Sequence, residues 1–160
     1  MSDRIAVMFD GEIAQLADPE TLYRRPATKK VADFIGTMNF VPAYILSESG
    51  NSVDVDAKGL GRVTLDIAQA PVKSGDSPVV GLRPETLTLL YDDQKAPERE
   101  TACVIDEVIY FGDMTYYDVY LGGTDVEVRL SMRNVPGRPV LDVGTKVRVA
   151  WSPSALVLFR

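Results

Sequence analysis

The sequence contains no histidine and a single cysteine, Cys103. Without histidine, the chain by itself cannot supply a Ser-His-Asp or Cys-His catalytic pair, or the imidazole ligands of a zinc enzyme. One cysteine excludes an intrachain disulfide and a metal site built from several cysteines. Because Cys103 lies within the apolar run of residues 102–105, we expect it to be buried as a small apolar residue with no chemical role.

Long apolar stretches and an excess of basic residues are also missing. No window approaches the roughly 18 consecutive apolar residues of a membrane-spanning helix, and residues 1–4 do not begin a signal peptide. Seventeen basic and 23 acidic residues leave a net charge of −6, which disfavours binding to the phosphate backbone of a nucleic acid. We therefore expect a chain that does not cross a membrane, is not exported by itself and does not bind nucleic acid.

A phosphate-binding P-loop is absent. That loop places a glycine directly before its lysine, so that backbone amides surround the phosphates while the lysine neutralises their charge. No lysine of this sequence follows a glycine. The close carboxylate pairs, Asp54 with Asp56 and Asp92 with Asp93, occupy alternating or turn positions. We expect these pairs to lie on solvated surfaces and to take no part in catalysis or metal binding.

The composition is that of a folded globular protein, with 160 residues, 46% hydrophobic and 25% charged. This length corresponds to one domain, with or without an appended piece. From Asn39 onward, apolar and polar residues alternate in short runs separated by turn sequences. About ten such runs, at intervals of roughly 8–12 residues, favour a mainly β, barrel-like domain. The runs are residues 40–46, 53–57, 63–67, 79–82, 86–90, 101–109, 116–121, 126–130, 146–151 and 156–159, and one of the turns is 73–76.

The residues before this β region follow a different pattern. Residues 4–9 and 12–17, joined by a favoured Asp-Gly turn dipeptide, predict a β-hairpin. Two short helices should follow, one over residues 18–25, begun by an Asp-Pro pair that can cap a helix, and one over residues 28–35. We expect Gly36 to end the second helix in a left-handed conformation.

A group of aromatic residues surrounds Gly112. In an OB-type barrel such side chains could stack on nucleic-acid bases, but the acidic balance of the chain argues against that role. We expect them to pack in the core or at the edge of a sheet. The group consists of Tyr110, Phe111, Tyr116, Tyr117 and Tyr120.

Residues 81–85 place an arginine and a glutamate on either side of a proline, directly after an apolar strand. One interpretation is a strand-to-turn junction in which Arg83 and Glu85 make local hydrogen bonds. The other is a contact with a partner or a ligand. These residues by themselves leave both interpretations open.

Several short blocks form a pattern through their order and spacing. The blocks in the first part of the chain are residues 2–8, 10–15, 18–23, Pro26, 31–36 and Asn39. In this order they resemble the segment that closes the nucleotide-binding domain in ABC importer ATPase subunits of the polyamine, ferric-iron and maltose type. The blocks in the second part are residues 81–85, 149–153 and 158–159. They resemble the C-terminal TOBE domain of the same group, an OB-like β-barrel.

The resemblance implies how the chain is divided and what it lacks. Residues 1–38 would be the end of the ATPase domain, and residues 39–160 the TOBE barrel. In the family, the P-loop, the signature sequence, the catalytic glutamate and the switch histidine all lie upstream of these segments. We therefore expect a fragment or truncated product that does not hydrolyse ATP and holds no cofactor, since ATP and Mg²⁺ belong to the full-length parent.

The resemblance also implies partners, location and function. The partners are the ATPase core of the parent, its dimer mate and the membrane permease subunits, on the cytoplasmic face of the cell membrane, and the chain should form a homodimer. The implied function is regulation and dimerisation of an importer ATPase. Residues 34–40 resemble the polyamine-type junction, which indicates spermidine or putrescine as cargo. A sugar importer and a free-standing oxyanion-binding TOBE protein are the alternatives.

Two further expectations concern individual residues. Asn39 and Trp151, which belong to the blocks that carry the resemblance, join Arg83 and Glu85 as candidate interface or ligand contacts. The hairpin and helices would normally lie on the ATPase core, so we expect an exposed apolar patch that a second copy of the chain covers. This patch comprises Val7, Leu22, Phe34 and Ile35.

Overall fold

The computed structural model describes residues 3–66 and 77–159, in which the chain forms a β-hairpin, two short helices and ten further strands. The elements are β1 (Ile5–Phe9), β2 (Glu12–Ala17), α1 (Pro19–Arg24), α2 (Lys29–Ile35), β3 (Asn39–Ser49), β4 (Ser52–Ala57), β5 (Gly61–Asp66), β6 (Val79–Leu82), β7 (Thr88–Leu90), β8 (Arg99–Tyr110), β9 (Met114–Leu121), β10 (Glu127–Arg133), β11 (Lys146–Trp151) and β12 (Val157–Phe159). The mainly β class, the hairpin and the helices are confirmed. The predicted strand residue Ile67 and the turn at 73–76 lie outside the described residues.

Strands β1 and β2 form a two-stranded antiparallel sheet, separate from the larger sheets. Asp10 and Gly11 at its turn have positive φ angles of 51° and 81°, the conformation for which an Asp-Gly pair is favoured in tight hairpins. Met8 lies opposite Ile13 in the register, and both side chains are exposed. One face of the hairpin therefore presents apolar side chains to solvent.

Both helices begin where a side chain caps the first turn. Asp18 accepts a hydrogen bond from the N–H of Thr21 at 2.9 Å before α1, and Thr28 accepts one from the N–H of Val31 at 3.2 Å before α2. Gly36 follows α2 with a φ of 178°. The expected left-handed ending is wrong, because the chain continues in an extended conformation towards β3. Neither helix in the described part of the chain is long and apolar enough to cross a bilayer.

Strands β3 to β12 form two five-stranded antiparallel sheets, which we together call the barrel. Their strand orders are β10-β9-β8-β11-β7 and β12-β6-β3-β4-β5. A single cluster of buried apolar side chains contains residues of both sheets, so the sheets share one core. The alternation in the sequence marks the inward face of each strand, since Val53, Val55 and Ala57 of β4 all lie in this core.

Two expectations about β8 and β9 have different outcomes. Cys103 is buried as expected, and burial raises the pKa of its thiol to about 12. Tyr117 is also buried in the core, but Tyr110 and Phe111 are each 63% exposed. The prediction that these two residues pack in the core is wrong. Both lie beside the turn between β8 and β9, where Phe111 packs edge-on against Tyr116.

A small apolar cluster joins α2 to the barrel. Ala32 of α2 packs with Met38, Val157 and Phe159. Gly81 of β6 lies against this cluster, since a Cβ there would be 2.5 Å from Sδ of Met38 and 2.9 Å from the ring of Phe159. A methyl group at Gly81 would force both side chains to move. The helices and the barrel are therefore in direct contact where residues 81–85 begin.

Candidate functional site

The candidate site is centred on Arg83, which directly follows β6. Arg83 has an extended backbone, and a 3₁₀ turn at Pro84–Thr86 comes next. The residue is 4% exposed, and its side chain reaches from the barrel to the ends of α1 and α2. Burial lowers the pKa of the Arg83 guanidinium, but the ordinary value for arginine is so high that the group is charged at neutral pH.

The guanidinium of Arg83 donates hydrogen bonds to four backbone carbonyl oxygens. Nη1 lies 3.2 Å from the oxygen of Ala32, 3.0 Å from that of Gly36 and 3.1 Å from that of Thr37. Nη2 lies 3.1 Å from the oxygen of Tyr23. Carbonyls at helix ends have few donors within the helix and carry partial negative charge. The oxygen of Ala32 also accepts from the N–H of Gly36 at 3.3 Å. One cation from the barrel therefore satisfies the ends of both helices.

The expectation that Arg83 and Glu85 make local hydrogen bonds is wrong for their side chains. The carbonyls that accept hydrogen bonds from Arg83 lie 46 to 60 positions away along the chain. Glu85 is exposed and accepts a hydrogen bond from the hydroxyl of Tyr23, 62 positions away. These contacts tie the barrel to the helices, and whether the same residues also meet a partner or a ligand stays a prediction.

Tyr23 is the member of this site that sequence reasoning missed. Its ring centroid lies 4.3 Å from Cζ of Arg83, in cation–π geometry. Burial, together with the hydrogen bond to Glu85, raises the pKa of Tyr23 to about 12. In the sequence, Tyr23 is an aromatic residue near the end of a short helix, and that pattern does not indicate a partner so distant along the chain.

Asn39 lies elsewhere, at the seam between the two sheets. Its side-chain oxygen accepts a hydrogen bond from the N–H of Arg129 at 2.8 Å, and its side-chain nitrogen donates to the carbonyl of Arg129 at 2.7 Å. The pair reproduces the double hydrogen bond of an antiparallel ladder. Arg129 in turn donates two hydrogen bonds to Asp118, at 2.8 and 3.0 Å. Asn39 therefore joins β3 of one sheet to β10 of the other.

Trp151 ends β11 and is buried within the barrel. Its indole N–H donates a hydrogen bond to the hydroxyl of Thr101 at 2.9 Å, and Cζ of Arg99 lies 4.7 Å from its ring centroid. The structure thus brings two of the four candidate residues together, Arg83 and Glu85, and places the other two at separate points of the barrel.

A cavity of about 580 Å³ opens beside Arg83. Its walls come from α1, from the turn after β6 and from the segment that leads into β12. Arg24 and Glu20, an exposed ion pair 3.4 Å apart, line it together with Thr86 and Ser154. The lining contains neither histidine nor cysteine. These mixed charges and hydroxyl groups suit a non-covalent polar contact.

The close carboxylate pairs are at the surface. Asp56, Asp92 and Asp93 are exposed, as expected, and the half-buried Asp54 pairs with Arg62 at 3.0 Å. In the described residues, no group of three or more histidine, cysteine, aspartate or glutamate side chains could hold a metal ion.

A second candidate surface is the outward hairpin face, which we define as Met8, Ile13 and Leu16. These side chains are 53%, 59% and 46% exposed. Phe34 of α2 is 67% exposed but lies on the other side of the hairpin, where it packs edge-on against Phe9. A two-stranded hairpin is only marginally stable in water without a packing partner on its apolar side. An exposed apolar surface of this kind is typical of a site of protein–protein contact.

The expected patch on the first part of the chain differs from this face. Val7 and Leu22 are each 4% exposed, so their expected exposure is wrong. They pack with Val31 in a small core of their own, against which Ile35 is half-buried. The hairpin folds onto the helices and covers these side chains. Phe34 is exposed, as expected.

Two antiparallel sheets around a shared core, preceded by a hairpin and helices, define an OB-like β module. A solved structure of the cytoplasmic molybdate-binding protein ModG, with molybdate bound, matches 76% of this chain and 94% of that chain, with a TM-score of 0.54 and 12% sequence identity. At that identity the likeness concerns the fold alone. More specifically, the chain belongs to the TOBE-domain family, whose model matches residues 80–159.

Curated relatives match nearly the whole chain. The spermidine/putrescine import ATP-binding protein PotA of Nitrosomonas europaea is 36% identical over 159 residues, which is 97% of this chain and 43% of the relative. PotA 2 of Pseudomonas aeruginosa is 35% identical over 153 residues, 94% of this chain and 42% of the relative. PotA of Thermobifida fusca is 35% identical over 155 residues, 96% of this chain and 39% of the relative.

The chain spans less than half the length of these relatives and corresponds to their C-terminal part. The resemblance to polyamine-type importer ATP-binding subunits with a TOBE domain is therefore confirmed. Arg83, Glu85 and Trp151 lie within the matched residues 80–159. The division of the chain between residues 38 and 39 stays a prediction.

Proposed function

We propose that this chain is the C-terminal regulatory and dimerisation module of the ATP-binding subunit of an ABC importer for polyamines. The observation that supports it most strongly is the match to spermidine/putrescine import ATP-binding proteins over 94% to 97% of the chain. That match includes the hairpin and helices as well as the barrel. ATP and Mg²⁺ bind to the ATPase domain of the parent subunit, since no P-loop occurs in this sequence.

The outward hairpin face is the proposed contact with the ATPase core of the parent. Its side chains are apolar and exposed, and covering them would remove apolar surface from water. The further partners are the dimer mate and the membrane permease subunits, on the cytoplasmic side of the membrane. In the isolated chain, a second copy covers the same face and gives a homodimer.

The proposed mechanism is a bias on the equilibrium between the open and closed states of the ATPase dimer. Such a bias requires contacts that differ between the two states. The barrel can provide them because its position is fixed to the helices by Arg83 and by the apolar cluster around Met38. A conformational change at the barrel surface is then transmitted to the hairpin and helices, which meet the ATPase core.

Uptake by the assembled importer tests this function. Proteoliposomes that contain the permease subunits and the parent subunit should take up radiolabelled spermidine, and excess maltose should not compete. Removal of residues 39–160 from the parent should change the uptake rate by about fivefold or more, the lower end of typical coupling between sites. Uptake of maltose in place of spermidine would contradict the cargo, and an unchanged rate after removal would contradict the regulatory role.

Oxyanion binding by the isolated barrel is a second candidate function, favoured by the fold likeness to a molybdate-binding protein. Titration calorimetry of the 160-residue chain with molybdate, sulfate, spermidine and maltose separates the two candidates. Micromolar binding of molybdate or sulfate would support the oxyanion-binding protein. The absence of binding to all four compounds would favour the regulatory module.

A further inference from the structure

We propose that Arg83 is the positioning residue that couples movement of the barrel to the hairpin–helix segment, defined as residues 3–37. Tyr23 and Glu85 complete the contact. This inference rests on the proposed function, because such coupling matters only where the barrel regulates the ATPase core that the segment meets. The regulatory signal passes through this contact.

One guanidinium holds the ends of two separate helices. Tyr23 supplies a carbonyl from the last turn of α1, and Ala32 and Gly36 supply carbonyls from the end of α2. The distances, from 3.0 to 3.2 Å, lie between the usual N–H···O separation and the upper end of its range. A shift of β6 by about 1 Å would therefore break these bonds together. Contacts that break together give two discrete states in place of a graded response.

The charge of Arg83 is buried. Arg83 is 4% exposed, so solvent does little to screen its interaction with the helix ends. Separating a buried guanidinium from its acceptors leaves both sides without hydrogen bonds, which is unfavourable. The barrel and the hairpin–helix segment are therefore held in one relative position unless the whole contact opens.

The contact around Arg83 can open reversibly. Nε of Arg83 is buried and has no hydrogen-bond partner among the described residues, and an unpaired buried donor makes the docked state less stable. Tyr23, 37% exposed, covers the guanidinium from outside and donates to the exposed Glu85. Water and partner molecules can reach these two covering residues, so opening can begin there.

Regional hydrogen exchange on the 160-residue chain tests the coupling. Arg83→Met keeps an unbranched stem about as long as the one that carries the guanidinium and removes the charge and the donors. We expect the amides of Leu22, Ala32 and Gly36, which are bonded within or at the ends of the helices, to exchange about tenfold faster or more. Amides of β9 and β10 should keep their rates, and Trp151 should keep its fluorescence. Equal acceleration in both regions, or none in either, would overturn the proposal.

Arg148→Met is the matched control. Arg148 also donates to backbone carbonyls, those of Asp92 and Gln94, which belong to the barrel. Its removal should leave exchange in the hairpin–helix segment unchanged. If Arg83→Met does not fold, Arg83→Lys replaces it, because an ammonium group keeps the charge but lacks the forked donors that reach both helices. Acceleration confined to the segment supports the proposal, and acceleration of the barrel by the same factor overturns it.

The outcome is independent of the test of the proposed function. Exchange in the isolated chain involves no cargo and no parent subunit. Unchanged exchange in Arg83→Met, together with spermidine uptake by the importer, would contradict the coupling through Arg83 and leave the proposed cargo intact. Faster exchange confined to the hairpin–helix segment, together with uptake of maltose, would contradict the proposed polyamine cargo and leave the coupling through Arg83 intact.

Discussion

Arg83 illustrates how a charged side chain is accommodated in the interior of this chain. Its acceptors are carbonyl oxygens at the ends of α1 and α2, where the helices themselves supply few donors. The sequence indicated an unusual arginine next to a proline but did not indicate its partners. Those partners depend on where the helices pack against the barrel, which is set by tertiary structure. Local spacing therefore could not identify Tyr23.

Tyr23 should give the junction a dependence on pH. Its pKa is raised from 10.0 to about 12 in the folded chain, so the folded state holds this proton more tightly than the unfolded state. The stabilisation is complete below about pH 10 and is lost as the pH rises towards 12. In urea titrations, Tyr23→Phe should lose stability less steeply than the unmodified chain between about pH 9 and 11. Tyr91, whose pKa is also raised to about 12, gives the same pH dependence of stability to both proteins. Equal slopes would contradict this role of Tyr23.

Asn39→Leu should destabilise the barrel. The substitution removes both hydrogen bonds to the backbone of Arg129, and unpaired buried groups typically lower the free energy of unfolding by about 1–3 kcal/mol. Urea denaturation followed by Trp151 fluorescence measures the change. Asn51→Leu, in the exposed turn between β3 and β4, is the control and should alter stability by less than about 0.5 kcal/mol. Equal effects of the two substitutions would refute a role for Asn39 in joining the sheets.

At the scale of elements, the sequence was informative wherever the determining contact is local. Asp18 and Thr28 cap their helices through bonds to amides three positions ahead, so their helix starts could be predicted. Strand alternation reported the inward faces of the sheets for the same reason. Burial of Val7 and Leu22, by contrast, requires the hairpin to fold onto the helices. The exposure of Tyr110 depends on its place beside a turn, which alternation does not reveal.

Thr28→Ala should weaken α2 and, through it, the contact with Arg83. Loss of the cap to the N–H of Val31 typically lowers the free energy of unfolding by about 1 kcal/mol. Thr28→Ser retains a capping hydroxyl and should stay close to the unmodified chain. Urea denaturation of the three proteins checks this order. A serine variant as unstable as the alanine variant would show that the methyl group, and not the cap, is responsible.

At the scale of the whole molecule, the family could be predicted from the sequence, because the order and spacing of its short blocks can be read along the chain without knowing the fold. The TOBE match over residues 80–159 and the relatives that cover nearly the whole chain agree with it. The way in which the two parts of the chain join was not accessible. It rests on Arg83 and on the apolar cluster of Ala32, Met38, Val157 and Phe159, whose members come from two distant parts of the chain.

The isolated chain should self-associate through the outward hairpin face. Light scattering of the unmodified chain at high concentration should show a dimer, because the exposed apolar side chains favour a partner. Ile13→Glu places a charge in that face and should shift the population to monomer. Tyr44→Glu, at a 74% exposed position of β3 outside the face, should leave association unchanged. A strictly monomeric unmodified chain would contradict self-association through this face.

ATP hydrolysis by the assembled importer tests the central claim, that this chain regulates an importer ATPase and does not itself hydrolyse ATP. The measurement compares the parent subunit with a version that lacks residues 39–160, each with and without cargo-loaded binding protein. The shortened subunit should still hydrolyse ATP, but the ratio of rates with and without cargo should change by about fivefold or more, and the 160-residue chain alone should show no hydrolysis. Hydrolysis by the isolated chain, or the same ratio in both subunits, would contradict the claim.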